Sequence, residues 1–203
     1  DIPYSNWTGL AVSKDGGTSF SKAFNGPILD RTPNETYSAT GCCVVREDAD
    51  AWHLWYASGV DWVEVDGKLE EYYVIKYAWS PDGISWQRED RQLLDSKVER
   101  EPTHRPAVLK TLGKYHMWFC FRQVRDFRDG RHSYRIGYAT SIDGRNWIRD
   151  DGAAGIERSD AGWDSTMLAY PNVVSTDYGT YLFYNGNGFG ETGLGYATLD
   201  TLG

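Results

Sequence analysis

Six short stretches of this 203-residue chain concentrate the side chains that could do chemistry. Residues 37–41 hold Tyr37 and Thr40, and 57–64 hold Asp61, Trp62 and Glu64. Residues 101–105 hold Glu101, His104 and Arg105, and 122–128 hold Arg122, Arg125 and Asp126. Residues 164–170 hold Asp164 and Tyr170, and 185–191 hold Asn185, Asn187 and Glu191. Gathered at one mouth, such residues meet the needs of a sugar site. Cleaving a glycoside takes two carboxyls across the scissile bond, one protonated and one ionised. Their roles separate when their surroundings push the two pKa values apart. Aromatic faces stack on sugar rings, and planar amides bond pairs of hydroxyls. Glu101, Asp164 and Asp61 are therefore the candidate acid, base or nucleophile. His104, Arg105, Arg122, Trp62, Tyr170, Asn185 and Asn187 are the candidate substrate contacts.

Each candidate has a plainer alternative. Glu101 also reads as a solvated or salt-bridged carboxylate, and Asp164 as a turn-stabilising one. His104 also reads as a satisfied histidine of an inner channel, and Asn185 and Asn187 as turn residues. Arg105 and Arg122 read as neighbours on adjacent inner strands. An arginine pair suits a carboxylate or phosphate on a ligand. The alternative is pairing with Glu101 or Asp126.

The elements that would bring these stretches together show in an internal repeat. "SPDGISW" at 80–86 and "SIDGRNW" at 141–147 share Ser-x-Asp-Gly-x-x-Trp, each after a β-rich run. A weaker copy lies in "LAVSKDGGTSF" (10–20), and "LGYATLD" (194–200) matches its beginning only. Ser13, Ser80, Ser141 and Thr198 are 67, 61 and 57 residues apart. Between them a second phrase recurs at 41–59, 105–122 and 170–188: a short apolar run, a turn, and an aromatic-rich run of period two. Each unit reads strand, turn, strand, loop, strand, hairpin, strand. Four antiparallel strands per unit predict an all-β fold, a β-propeller of four-stranded blades. The reading is one domain over 1–203: part of a blade at 1–36, blades at 37–100 and 101–163, and part of a blade at 164–203. In a propeller the start of each first strand and the loop after each second strand open on the same face, which collects the six stretches. The Ser-x-Asp-Gly hairpin opens on the other face. There Asp82 and Asp143 build turns, glycine supplies positive φ, and the following Trp packs between blades. The charged stretch 88–98 has room for one helical turn.

Composition removes other classes of function. The net charge of -8 and a pI near 5.0 suit neither a nucleic-acid backbone nor an anionic membrane. No apolar run approaches the roughly 18 residues of a membrane helix. Cys42, Cys43 and Cys120 form no CxxC pair, so no zinc site is expected, and no other metal or cofactor. Free thiols fit a reducing, cytoplasmic compartment. Unpaired edges of an open propeller would favour self-association or a partner chain.

The phrases "RPAVLKTLGKYHMWFCFR", "RIGYATSIDGRNW" and "GWDSTMLAYPNVV…YLFYNGNG" resemble the five-bladed β-propellers of the furanosidase superfamily, with its arabinanases, xylosidases, levansucrases and invertases. More narrowly they resemble bacterial glycosyl-hydrolase-like propellers found near polysaccharide biosynthesis genes. The resemblance implies a carbohydrate ligand, a blade or more N-terminal to this chain, and one of two functions. One is a glycosidase-like hydrolase, the other a non-catalytic sugar-binding or assembly propeller. No inner strand starts with the family's "DP" type of aspartate. Where the family often places its acid glutamate, before Pro106 and Pro171, stand His104-Arg105 and Ala169-Tyr170. These departures weigh towards binding. A second resemblance is to the Asp-box of sialidases, which "SKDGGTSF" (13–20) fits, and implies a six-bladed alternative.

Overall fold

The computed structural model describes residues 2–128 and 130–199. It is all-β. Strands β1 (Ala11–Val12) and β2 (Ser21–Lys22) form a two-stranded sheet. Strands β3 (Ser38–Asp48), β4 (Ala51–Val65), β5 (Lys68–Ser80) and β6 (Gln87–Arg88) form a four-stranded antiparallel meander. A second meander comprises β7 (Thr103–Thr111), β8 (Lys114–Phe121), β9 (Arg135–Ser141) and β10 (Ile148–Arg149). The last sheet has β11 (Ala169–Thr176), β12 (Gly179–Asn185) and β13 (Leu194–Leu199). The first strands β3, β7 and β11 lie side by side around the propeller axis. Among the described residues, helical structure is limited to a 3-10 turn at Asp151–Ala153 and a short turn, α1, at Asn187–Gly190, within which Gly188 and Phe189 are left-handed. The stretch 88–98 holds no helical turn; it crosses as irregular chain. Among the described residues, no helix is long and apolar enough to cross a membrane.

The sheets stack face to face, so the middle strands are buried on both sides. That is why they read as near-continuous apolar runs. In β4, Trp55 points into the layer shared with the second meander, where it meets Val108, Tyr115, Met117 and Phe119. Its neighbours Leu54 and Tyr56 point the other way, onto Leu29, Ala39 and Ala78. In β8 the alternation repeats. Met117 and Phe119 enter the first layer, and Trp118 enters the next one with Leu168, Leu182 and Tyr184. Fully burying a side chain of this size contributes roughly 1.5–3 kcal/mol, so these few alternating positions carry much of the sheet-to-sheet adhesion.

The repeated Ser-x-Asp-Gly phrase joins third to fourth strand in both meanders. Ser80 Oγ accepts from the N–H of Asp82 (3.1 Å) and Gly83 (2.9 Å), and Asp82 Oδ1 accepts from Ile84 (2.8 Å) and Ser85 (2.7 Å). Ser141 and Asp143 repeat the pattern with Gly144, Arg145 and Asn146. The second copy also locks two sheets together. The Gly144 carbonyl accepts from Trp55 Nε1 of the neighbouring meander (2.8 Å) and from Trp147 Nε1 (2.9 Å). Gly144 has φ of +71°, and a Cβ there would stand 3.0 Å from the Trp55 ring, so both backbone and space call for glycine. Trp147 packs into the inter-sheet layer as the sequence predicts. In the weak first copy Phe20 is 66% exposed.

Each first strand carries the same irregularity at its start. The register jumps between Thr40 and Cys43, between His104 and Ala107, and between Ala169 and Asn172, so two residues face one at each β-bulge. The residue at the centre is left-handed every time: Gly41 (φ +60°), Arg105 (φ +51°) and Tyr170 (φ +56°). Pro106 and Pro171 follow, where a missing N–H breaks no ladder bond. A left-handed non-glycine residue costs on the order of 1–3 kcal/mol and persists only where its surroundings hold it.

The turn aspartates give this fold an acid-dependent increment of stability. Backbone N–H groups, from Ser85 first and then Ile84, hold Asp82 down at about 2, and those of Asn146 and Arg145 hold Asp143 well below the usual carboxylate range. A depressed folded pKa stabilises above the unfolded value of about 4 and loses that contribution as pH falls towards the folded value. The double variant Asp82→Ala/Asp143→Ala should therefore unfold at lower urea than the parent near neutral pH. The gap between the two should narrow as pH falls from about 4 to about 2, followed by tryptophan fluorescence. A gap that stays constant with pH would remove these aspartates from the acid response.

Candidate functional site

The three bulges enclose the mouth of the axial cavity, about 410 Å³ in volume. Thr40 and Gly41 come from β3, His104 and Arg105 from β7, and Tyr170 from β11. The far wall is built by the start of β5 and by the segment between β8 and β9. Glu71 and Tyr73 come from the former, Arg122, Phe127 and Tyr134 from the latter.

One buried polar knot fixes this wall. Arg122, 4% exposed, points Nε at the hydroxyls of Tyr73 (3.1 Å) and Tyr134 (3.4 Å), which also bond each other. Its remaining donors go to the carbonyls of Gln123 (2.9 Å) and Glu71 (3.1 Å). The Phe127 ring lies between two guanidinium groups, 3.8 Å from that of Arg122 and 4.1 Å from that of Arg128. Arg128 is spent on Glu70, which it grips with both terminal nitrogens. Glu71 accepts from Ser38 Oγ (2.5 Å), so it is tied to the base of β3. Burial drives the hydroxyls of Tyr73 and Tyr134 up, and that of Tyr170 to about 12, so all three are neutral donors.

His104 and Arg105 set the electrostatics of the mouth. The His104 ring packs against Tyr73, 4.8 Å between centroids, and its Nδ1 is buried with no hydrogen-bond partner. Burial, then the charges of Arg105 and Arg122, push His104 down to about 3, so the ring is neutral near physiological pH. The Arg105 guanidinium is exposed and stands 5.5 Å over the Tyr170 ring. Among the described residues it has no hydrogen-bond or ion-pair partner. The aromatic edges, neutral hydroxyls, neutral imidazole and free guanidinium together suit a small polyhydroxylated ligand. Among the described residues, no three His, Cys, Asp or Glu side chains are grouped so as to hold a metal ion.

No family model matches the chain. Two uncharacterized proteins of Mycobacterium tuberculosis, from strains CDC 1551 / Oshkosh and ATCC 25618 / H37Rv, are each 34% identical to it over 200 residues. The match takes in 98% of this chain and 63% of each relative, so the chain spans less than two thirds of their length. Among solved structures, a glycoside hydrolase superposes with a TM-score of 0.72 at 20% identity, over 96% of this chain and 57% of that one. A thermostable family-43 glycoside hydrolase gives 0.70 at 15% identity, over 96% and 63%. The β-1,2-mannobiose phosphorylase of Listeria innocua, in its β-1,2-mannobiose complex, gives 0.61 at 17% identity, over 94% and 48%. The chain has the fold of the glycoside-hydrolase propellers.

Within that propeller, the residues singled out from sequence fall into two groups. His104, Arg105, Arg122 and Tyr170 line the axial cavity together. Arg122 does not lie on an inner strand next to Arg105; it follows β8, the second strand of the same sheet. Neither arginine pairs with Glu101 or Asp126, since Arg122 takes tyrosines and carbonyls instead. The remaining candidates lie off the cavity wall. Glu101 is clamped by Arg149 (2.5 Å), both side chains being 4% exposed, and Arg149 also grips Asp151 (2.8 Å). Asp164 is buried, with Oδ2 accepting from Tyr184 (3.1 Å) and Oδ1 unpartnered. Asp61 bonds Arg100 (3.2 Å) and caps the N–H of Trp62 (2.8 Å). Trp62 reaches only the rim, edge-on to Tyr4 at 4.8 Å. Asn185 bonds the Phe189 carbonyl (3.0 Å). Asn187 staples the loop below it, accepting from Thr166 (2.7 Å) and Met167 (3.0 Å) and donating to Gly162 (2.9 Å).

Glu70, Glu71, Tyr73, Phe127, Arg128 and Tyr134 escaped the sequence reading of binding residues. The β4–β5 hairpin is longer than a generic blade, with pairing that continues to Val65–Lys68, and this carries the start of β5 to the mouth. The signal was the period-two series Glu71, Tyr73, Ile75, Tyr77, which places Tyr73 on the face of two core residues.

The Glu101–Arg149 pair tests the division between scaffold and site. Removing one partner of a buried pair leaves an uncompensated charge, and Asp151 offsets part of that here. Glu101→Ala should lower stability by about 3 kcal/mol in chemical denaturation, and leave ligand binding at the cavity unchanged. Loss of binding with stability intact would return Glu101 to the site.

Proposed function

We propose that this propeller binds a carbohydrate at the axial cavity, acting as a sugar-binding module of glycoside-hydrolase type and not as a hydrolase in its own right. The observation that carries this reading is the cavity mouth itself. Two inner-strand bulges aim His104, Arg105 and Tyr170 into a pocket walled by Tyr73, Tyr134 and Phe127, and a third leaves room at Gly41. The glycoside-hydrolase fold supports a sugar as the ligand, because the axial pocket is where such a propeller offers a concave, polar, aromatic-lined surface.

Hydrolysis has less support. It needs two carboxyls facing each other across the ligand, roughly 5–10 Å apart. Glu101, Asp164 and Asp61 each have structural partners away from the cavity. The two carboxylates on the wall, Glu70 and Glu71, are consecutive residues of one strand, committed to Arg128 and Ser38. Two neighbours on one wall do not flank a bond.

The reading predicts that a sugar raises the thermal unfolding midpoint of the protein, with about 2.7 kcal/mol of added stability at 100 times its dissociation constant. Tyr170→Ala and His104→Ala should each weaken binding about tenfold or more, a loss of about 1.4 kcal/mol. Glu101→Gln should not. Release of reducing sugar from a glycoside, lost on Glu71→Gln, would restore the hydrolase. No midpoint shift across hexoses, pentoses and uronates would remove the sugar-binding reading.

A further inference from the structure

We propose that the cavity selects a sugar bearing one carboxylate, a uronate, and that Arg105 is the residue that recognises it; this rests on the sugar-binding reading above. The chain as a whole is acidic, at -8. The cavity wall is not. Among the described residues it carries three guanidinium groups, Arg105, Arg122 and Arg128, against two carboxylates, Glu70 and Glu71, and its histidine is neutral. Counted over those residues, the wall is positive by one charge, in a chain that is negative as a whole.

The guanidinium donors left free for a ligand have an address. Arg128 is consumed by Glu70, and every nitrogen of Arg122 has a tyrosine or carbonyl partner. Arg105 alone among the three has no partner among the described residues, and its planar fork is held over Tyr170. A guanidinium fork matches a carboxylate with two parallel hydrogen bonds. The backbone adds a second, independent argument. Arg105 occupies a left-handed position that Gly41 fills without strain in the adjacent sheet. The left-handed backbone does not call for an arginine, and the side chain mounted there reaches over Tyr170 at the cavity mouth. Gly41 in turn makes room for it, because a Cβ on Gly41 would stand 3.3 Å from both Arg105 Cδ and His104 Cε1. His104 stands beside the guanidinium on the same wall, and its neutral ring adds no charge to the site.

The charge count separates a carboxylate from a phosphate. One carboxylate balances the wall. A phosphate monoester brings about -1.5 to -2 near neutral pH, and the excess would face Glu70 and Glu71.

Calorimetric titration of the protein with glucuronate, galacturonate, glucose, galactose and glucose 6-phosphate decides the matter. Each uronate should bind at least tenfold tighter than its neutral counterpart, and added salt should shrink that advantage. Arg105→Gln and Arg105→Gly should erase the uronate's advantage over its neutral counterpart, read as the ratio of the two affinities in each variant, and Arg105→Lys should keep part of the preference. Arg105→Gly should also unfold no earlier than the parent, which a structural role for the arginine would not allow. Equal affinity for uronate and neutral sugar would overturn the proposal and leave sugar binding standing. Tighter binding of the sugar phosphate would overturn the carboxylate. Binding of none would overturn both readings.

Discussion

The bulge at the start of each inner strand is the constraint on which the cavity depends. A regular strand would send successive side chains alternately to its two faces, across the axis direction. Inserting one left-handed residue breaks the alternation and frees a side chain to point along the axis. Gly41, Arg105 and Tyr170 occupy that place in three consecutive sheets. Two of the three are bulky, and the strain they carry is held by the ladders on either side of each bulge. The mouth is thus assembled from one local device repeated around an axis, with an arginine and a tyrosine mounted at two places and a glycine leaving room at the third.

What keeps three such devices aligned is the adhesion between sheets. Because β4 and β8 are apolar on both faces, each meander acts as a slab wetted by core on either side. The polar requirements of the large aromatics are met inside those layers. Trp55 donates to the Gly144 carbonyl of the next meander, and Trp118 to the carbonyl of Ala154. Two histidine–tyrosine bonds stand at matching places, His53 with Tyr77 and His116 with Tyr138. The hairpin on one face of the propeller therefore bears on the geometry of the mouth on the other, since a slipped turn would release Trp55 from the layer that supports β7.

The architecture was legible because its signals are local and periodic. Ser80, Asp82, Gly83 and Trp86 recur as Ser141, Asp143, Gly144 and Trp147, and a turn of this type is dictated by a few neighbouring atoms. The inner wall was half legible for the same reason: "HRP" and "YP" mark chain that cannot continue a plain ladder. The partners of charged groups were not legible. Nothing near Glu101 in sequence announces Arg149, which lies 48 residues on and meets it only when β10 folds back. Asn187 reads as a ligand contact because it sits in a glycine-rich loop at the mouth, yet that loop turns the amide inward to satisfy its own backbone. The length of the β4–β5 hairpin, which decides that Glu71 and Tyr73 reach the cavity, is fixed by pairing beyond the generic blade.

The electrostatics of the mouth follow from which charges are spent and which are kept. Arg122 is buried, and a buried guanidinium is stable only when its donors are matched, so it works as a strut that positions Tyr73 and Tyr134. Burial first, and then the same field, hold His104 neutral, because a third positive charge beside Arg105 and Arg122 in a desolvated place is unfavourable. A neutral imidazole serves a binding site well: it can bond a hydroxyl without competing with a guanidinium for an anion. Among the described residues of the wall, Arg105, exposed and without a hydrogen-bond or ion-pair partner, is the cation whose donors the fold has not already engaged.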